Sequence, residues 1–369
     1  MKGKRRHSIL GNLFFLLAAG SALLFVCCPV AKLIPPSTAF LPSLLGFAFP
    51  LLLIINLALA VGYLFAGQRR CWLFIVCLLC NWNNIRVFVQ FGKQNEPPAR
   101  YAGNTLKVLS YNVHLFDYYT ENGNKRGDLK NQLLAFVGDQ DADIVCFQEA
   151  YESRDNSFPS SPTLKKAGYL YATRPASQSN FFYGNRIYSK FPILQEGSID
   201  GMSLCDIVFA DIWTGKDTLR VYNMHLASYL FDEADATFLA SLSSLSKRDT
   251  YKEGSSHLLR KMKRATLNRE KQVKRILNHI DSTQAPRRVL VCGDMNEHPV
   301  AYAYTRFTKK DFKDAFVKAG KGIGQSYQGV YPSYRIDYIF SRGNLKTLFF
   351  TTHKVEYSDH RPVSAVFSL

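Results

Sequence analysis

Val289-Leu290-Val291-Cys292-Gly293-Asp294-Met295-Asn296 is an apolar, Val-rich run that stops at a glycine and two polar residues. It reads as a strand that delivers a carboxylate and an amide to its C-terminal end. Alone, Gly-Asp after a strand is a plain turn, because Asp and Asn commonly cap one. The pattern recurs, and the recurrence decides the fold. Leu106-Lys107-Val108-Leu109-Ser110-Tyr111-Asn112 ends in an amide, and Ile144-Val145-Cys146-Phe147-Gln148-Glu149 ends in a carboxylate. Leu219-Arg220-Val221-Tyr222-Asn223-Met224-His225 carries an imidazole. Tyr357-Ser358-Asp359-His360 precedes a last apolar run, with Arg335-Ile336-Asp337-Tyr338 upstream. Each has a dull reading by itself: a cap, a surface carboxylate, a core histidine. Five together read as one site.

Around these segments, strand candidates fall at 106–110, 144–147, 187–188, 207–213, 219–222, 289–292, 336–340 and 363–367. Helix candidates fall at 128–138, 255–280 and 301–308. Many short strands with few helices point to a layered α/β or α+β domain. No internal repeat or low-complexity tract is present.

The chain has 369 residues and a formal net charge of +17. About 100–200 residues per domain allows two or three units. Composition divides near residue 93. Residues 1–93 hold nine of the 46 Lys/Arg and none of the 29 Asp/Glu, leaving 37 basic and 29 acidic residues beyond. Residues 94–369 are therefore a mixed-charge, soluble-type region, long enough for its own core. Residues 94–105, with Glu96-Pro97-Pro98, read as a linker, and 106–369 as the large domain.

Residues 1–93 are membrane-like. Apolar runs lie at about 9–28, 40–66 and 71–91, and a span takes about 20 apolar residues. The first run exceeds a signal-peptide core of about 7–15 residues and a second long run follows, so a retained anchor is the preferred reading. Lys2, Lys4, Arg5 and Arg6 place the N-terminus inside, and Arg69 and Arg70 do the same for the second loop. With three spans the large domain is extracytoplasmic, and with two it is cytoplasmic. Three is preferred, although the third run is interrupted by Asn81, Asn83, Asn84 and Arg86. A transporter is disfavoured, because no acid lies within the spans.

Five of the eight cysteines lie in the membrane part, and Cys146 and Cys292 sit inside strand-like runs. No spacing suggests a disulfide framework or a zinc site. Residues 232–281 stand out as a helical insertion rich in Arg260, Lys261, Lys263, Arg264, Arg269, Lys271, Lys274 and Arg275. It reads as a solvated amphipathic helix or as a basic surface facing anionic lipid heads or a phosphate polymer.

The Gln148-Glu149, Gly293-Asp294-x-Asn296 and Ser358-Asp359-His360 elements resemble the endonuclease/exonuclease/phosphatase superfamily, over about 106–369. Gly184-Asn185-Arg186-Ile187 is similar to a further family strand, but Arg186 stands where a small apolar residue is usual. Apolar segments ahead of such a domain resemble membrane-anchored bacterial members, which implies the bacterial inner membrane. The resemblance implies a DNase I-like four-layer sandwich, two packed mixed β-sheets flanked by helices. It implies a metal-dependent hydrolase of phosphoric esters, a phosphodiesterase, phosphatase or nuclease, using activated water. Glu149 is then the principal ligand of Mg²⁺ or Mn²⁺, with Asn112 and Asp359 beside it. Asp294 orients or deprotonates the water, Asn296 and His225 donate to phosphate oxygens, and His360 contacts the scissile phosphate, held by Asp337. The implied partners are a phospholipid head group or a nucleic acid, and a lipid bilayer through the N-terminal helices. The alternative from another class is a catalytically silent binding module, which the full set of polar residues argues against.

Overall fold

The computed structural model describes residues 9–91, 104–117, 126–153, 160–174, 181–199, 207–230, 235, 248–283, 285–329 and 335–369. The expected linker lies almost wholly outside the described residues, as do Cys205 and most of the first half of the expected insertion. Two compact units result. One takes the residues up to Phe88 together with His298–Thr305, and the other takes Val89–Glu297 with Arg306–Leu369.

The first unit is helical. α1 (Ile9–Cys27) carries no charge and tightens into a 3-10 turn at Cys28–Lys32. α2 (Leu41–Phe47) and α3 (Phe49–Phe65) meet at 57°, and α4 (Cys71–Cys80) and α5 (Trp82–Phe88) at 67°. Pro50, in the first turn of α3, has no N–H to continue the preceding helix, which explains the first break. At the second break the buried Asn81 side chain donates to Phe25 O at 3.1 Å and Cys77 O at 3.3 Å. By length and composition one helix, Gly11–Lys32, can cross a membrane, and up to three can if each bent pair is one span. α5 stops at Phe88, inside the third expected run of 71–91. Gln90 exchanges both backbone hydrogen bonds with Gly322, at 2.8 and 2.9 Å, and so belongs to the second unit.

The second unit holds two six-stranded sheets. The first has the order β11 (Lys346–Thr352), β12 (Val363–Ser368), β1 (Thr105–Asn112), β2 (Ile144–Ser153), β4 (Phe181–Ser189), β3 (Tyr171–Ala172). The second has the order β5 (Ile193–Ile199), β6 (Ile207–Trp213), β7 (Thr218–His225), β8 (Arg288–Asp294), β10 (Asp337–Arg342), β9 (Lys313–Asp314). Each sheet has one parallel pair near its middle, β1 with β2 and β7 with β8, and antiparallel neighbours outside it. Both sheets are therefore mixed.

Alternation along the strands builds the layers. Leu106, Val108, Ile144 and Cys146 join Val221, Leu290, Cys292 and Ile339 in one buried cluster between the sheets. The intervening residues Leu109, Tyr111, Val145 and Phe147 face the other way, packed with Leu133, Leu134 and Val137 of α6 (Arg126–Asp139) and Leu164 of α7 (Ser161–Lys166). α8 (Arg248–Ser282) is the crossover between the parallel strands β7 and β8 and lies on the second sheet. Its His279 accepts or donates to Tyr222 Oη at 2.8 Å and rests on Phe209. Helix, sheet, sheet, helix is the expected four-layer order. Cys146 and Cys292 are buried free thiols, side by side in the core.

Candidate active site

Parallel pairing sends strand ends the same way, and this assembles the site. Asn112 is in register with Gln148, one residue before Glu149, and His225 is in register with Asp294. Asp294 is in turn opposite Asp337. A buried amide bridge holds the two sheets together just beneath. Gln148 Nε2 donates to Asn223 Oδ1 at 2.7 Å, and Asn223 Nδ2 donates to Phe147 O at 2.7 Å and Arg186 O at 2.9 Å. Asn223 and His225 are two residues apart, so both side chains leave β7 on the same face.

Local backbone aims the polar groups. The β2–β4 register shifts between Phe147 and Ala150, and Glu149, inside that shift, has φ +52°. A bulge of this kind re-aims one side chain at a strand end. Gly293 has φ +131°, and a Cβ there would strike the Met224 carbonyl oxygen, so only glycine lets β8 run against β7 at this level. Asn296 also takes a left-handed conformation, with φ +51°. Behind Asn112, four successive residues, His114 to Asp117, have φ of +44°, +57°, +53° and +56°. Such a left-handed turn costs roughly 1–2 kcal/mol per residue. Phe116, buried against Phe147, and the His114 N–H bond to Asn112 Oδ1 at 3.1 Å hold it.

Asp294 Oδ2 is the hub. It accepts from Asn112 Nδ2 at 3.1 Å and Asn296 Nδ2 at 3.2 Å, and lies 3.7 Å from His225 Nε2 and 3.6 Å from His360 Nε2. Its other oxygen accepts from Asn296 N at 2.7 Å. Asn112 Nδ2 also donates to Glu149 Oε1 at 3.0 Å, which is 3.5 Å from His225 Nε2. His360 Nδ1 meets Asp337 Oδ2 at 2.9 Å. Ser358 Oγ lies 2.8 Å from Asn112 O and 3.3 Å from Asp359 Oδ1. Asp359 is thus the one expected ligand joined to the rest through a neighbour rather than directly.

Electrostatics follow from burial and proximity. Burial pushes the Asp294 carboxyl up to about 6, against the opposing pull of His360. Burial disfavours a charged His360, but the carboxylates of Asp337 and Asp294 outweigh it and push its pKa up to about 10. These two carboxylates favour the charged imidazole, whose Nδ1 faces Asp337 and whose Nε2 faces Asp294.

Four carboxyl groups, Glu149, Asp294, Asp337 and Asp359, gather with two imidazoles, a hard oxygen set that suits a divalent cation. Glu149 keeps 19% of its side chain exposed, facing solvent, and Asp337 Oδ1 is buried with no hydrogen-bond partner. An orphaned buried oxygen is the kind that a cation or water satisfies. Asp294, Asp337 and His360 each place a ligand atom within 4.8 Å of the others. His360 spends one ring nitrogen on Asp337, so the Glu149 side fits a cation better. Asn112 turns its NH₂ to Glu149 and Asp294 and its oxygen to His114. In this orientation it bridges two carboxylates and offers a cation no oxygen.

Three contributors escaped the sequence reading. The Ser326 hydroxyl accepts from Asp337 N at 3.1 Å and Ile336 N at 3.0 Å, while Ser326 O accepts from Arg361 N at 2.6 Å. It ties the Asp337 and His360 segments together, and no local pattern announces it. The Gln148–Asn223 bridge had a signal: amides inside otherwise apolar strands. Arg269, counted with the basic surface of the insertion, is fully buried. This corrects the reading of that residue as a surface cation.

The Endonuclease/Exonuclease/phosphatase family model matches residues 109–360, and the chain belongs to this family. A domain of unknown function (DUF8431) matches residues 11–88. No curated protein matches the chain. Among solved structures, an endonuclease/exonuclease/phosphatase from Beutenbergia cavernae is 15% identical, covers 72% of each chain and has a TM-score of 0.51. One from Bacteroides vulgatus is 16% identical over 72% of this chain and 99% of its own, with a TM-score of 0.51. TDP2 of D. rerio, complexed with single strand DNA product, is 16% identical over 72% and 99%, with a TM-score of 0.50. At these identities the likeness is one of fold.

Proposed function

We propose that the chain is a membrane-anchored phosphoester hydrolase that uses Mg²⁺ and an activated water. The observation that carries this reading is the convergence on Asp294 Oδ2 of Asn112, Asn296, His225 and His360. Asp294 is a buried carboxylate whose pKa, pushed up to about 6, suits a base near neutral pH. It takes the proton of the attacking water. His360, kept cationic by Asp337, donates an N–H to a phosphoryl oxygen, and His225 and Asn296 donate to others. Donors fixed around developing negative charge supply most of the rate in such sites. Glu149, with Asp359 beside it, would hold a Mg²⁺ ion, which would supply Lewis-acid charge at the phosphate and the leaving oxygen.

Among substrates, a nucleic-acid strand has the support of the single strand DNA product bound to the D. rerio relative of the same fold. A phospholipid head group has only the apolar N-terminal helices in its favour. For location, the reading is an anchor in the bacterial inner membrane with the catalytic domain on the outer side, the arrangement in which each bent helix pair crosses once.

The test is hydrolysis of bis(p-nitrophenyl) phosphate by the full chain in detergent, with Mg²⁺ and then with EDTA. Turnover that stops with EDTA supports the reading, and turnover indifferent to EDTA rejects the metal. A panel of single-stranded DNA, RNA and sphingomyelin then ranks the substrates.

A further inference from the structure

Arg269 stands in the middle of α8 with none of its surface exposed. Its neighbours Arg260, Lys263, Arg264, Lys271 and Lys274 are all exposed, on the opposite side of the helix. A buried guanidinium needs partners for its donors, and here they are found in two loops that leave the catalytic strands. Nη1 donates to Ala227 O at 2.8 Å, two residues past His225. Nε donates to Glu297 Oε2 at 2.9 Å, one residue past Asn296. Nη2 donates to Thr266 Oγ1 at 3.0 Å, and Tyr229 covers the guanidinium face at 4.3 Å.

The same helix holds Ala227 from its other side, since Ala227 N donates to Gln272 Oε1 at 2.9 Å. Glu297 is fixed in turn: its carbonyl accepts from Tyr338 Oη at 2.9 Å. Between the loops, Asn296 Nδ2 donates to Leu226 O at 2.9 Å and Leu226 N to Asp294 O at 2.9 Å. One planar, rigid fork therefore spans the loop of His225 and the loop of Asn296, a geometry that lysine cannot copy.

We propose that Arg269 is a positioning residue: through Ala227 and Glu297 it sets His225 and Asn296 relative to Asp294. The inference rests on the hydrolase reading above. Its claim is that the crossover helix holds the donors to the phosphate through the two loops that carry them. Misplacement of about 1 Å at a catalytic group can cost about 10²-fold in rate.

The test uses the full chain in detergent with bis(p-nitrophenyl) phosphate and Mg²⁺. Arg269→Met alone removes the cation that the buried Glu297 carboxylate faces. The double variant Arg269→Met, Glu297→Gln removes both charges, and Arg269→Lys keeps the charge without the fork, so at least one variant can be judged in the folded state. In a variant with wild-type circular dichroism, kcat is expected to fall about 10²-fold with KM little changed. In a His225→Ala, Asn296→Ala background the same change should cost about threefold or less, because both residues it acts through are gone. Wild-type kcat in a folded variant, or the same fold-loss in both backgrounds, overturns the proposal. A wild-type chain that hydrolyses nothing fails the hydrolase reading instead. Side-chain ¹H–¹⁵N spectra separate the two cases: Arg269→Lys must still shift the His225 imidazole signals, and unshifted signals reject the positioning role whatever the activity.

Discussion

Asn112 at the end of β1 donates a 3.1 Å hydrogen bond to Asp294 at the end of β8, joining the two sheets at the residue where the polar groups converge. The same amide reaches Glu149 at 3.0 Å. It separates two carboxylates that would otherwise repel. Asn112→Ala should lower kcat/KM by about 10–10³-fold, the range for losing one well-placed donor or metal-site partner. A Mg²⁺ titration of the rate checks it, with the half-saturating concentration rising in the variant. Asn112→Asp should be worse, because it adds a third carboxylate.

The pH–rate profile should have two limbs. Asp294 must be ionised to accept a proton, so the rate climbs as pH passes about 6. His360 must stay protonated to donate, so the rate falls only as pH approaches about 10. Asp337→Asn removes the carboxylate that favours the charged imidazole, and the alkaline limb moves to lower pH. An alkaline limb that stays in place detaches His360 from the reaction.

Glu149→Gln and His360→Ala should each cost orders of magnitude in kcat. Single acid–base or electrostatic groups contribute roughly 10²–10⁴-fold. Stopped assays across a Mg²⁺ titration separate them, because only Glu149→Gln should recover in part with more metal.

Gly293→Ala combines a forbidden φ with a collision on the Met224 carbonyl. The two effects together cost on the order of 3 kcal/mol. Thermal unfolding by circular dichroism should show a midpoint lower by roughly 10 °C for a domain of this size.

His353 gives an acid-stability test. Burial, with Lys107 adding, lowers its pKa to about 4 in the folded chain, below the unfolded value near 6.5. The unfolded state therefore binds the proton first. The contribution of His353 is complete above about pH 6.5 and is lost as pH falls towards 4, by up to about 3 kcal/mol. His353→Gln should flatten that part of a stability-against-pH curve measured by urea unfolding.

The strand-end groups were legible in the sequence because each puts a polar atom where the strand pattern calls for an apolar one. Asn112, Glu149, His225, Asp294 and Asp337 are all such interruptions. The left-handed turn at His114 to Asp117 was not legible, since none of its four residues is glycine and its stability comes from packing on Phe147. β11 was missed because its side chains are mixed and only half-buried. Arg269 could have been found. Met262, Ala265, Val273, Ile276 and Ile280 trace the buried face of α8, and Arg269 lies in that line.

β12 pairs on one side with β11 and on the other with β1, the first strand of its sheet. A chain leaving the ribosome N-terminus first holds β1 for some 250 residues of synthesis before its partner Val363–Ser368 follows. Asp359 and His360 arrive just ahead of that strand. Under the proposed hydrolase reading, the site is therefore incomplete on a nascent chain until residue 360 has been made and β12 has closed the sheet.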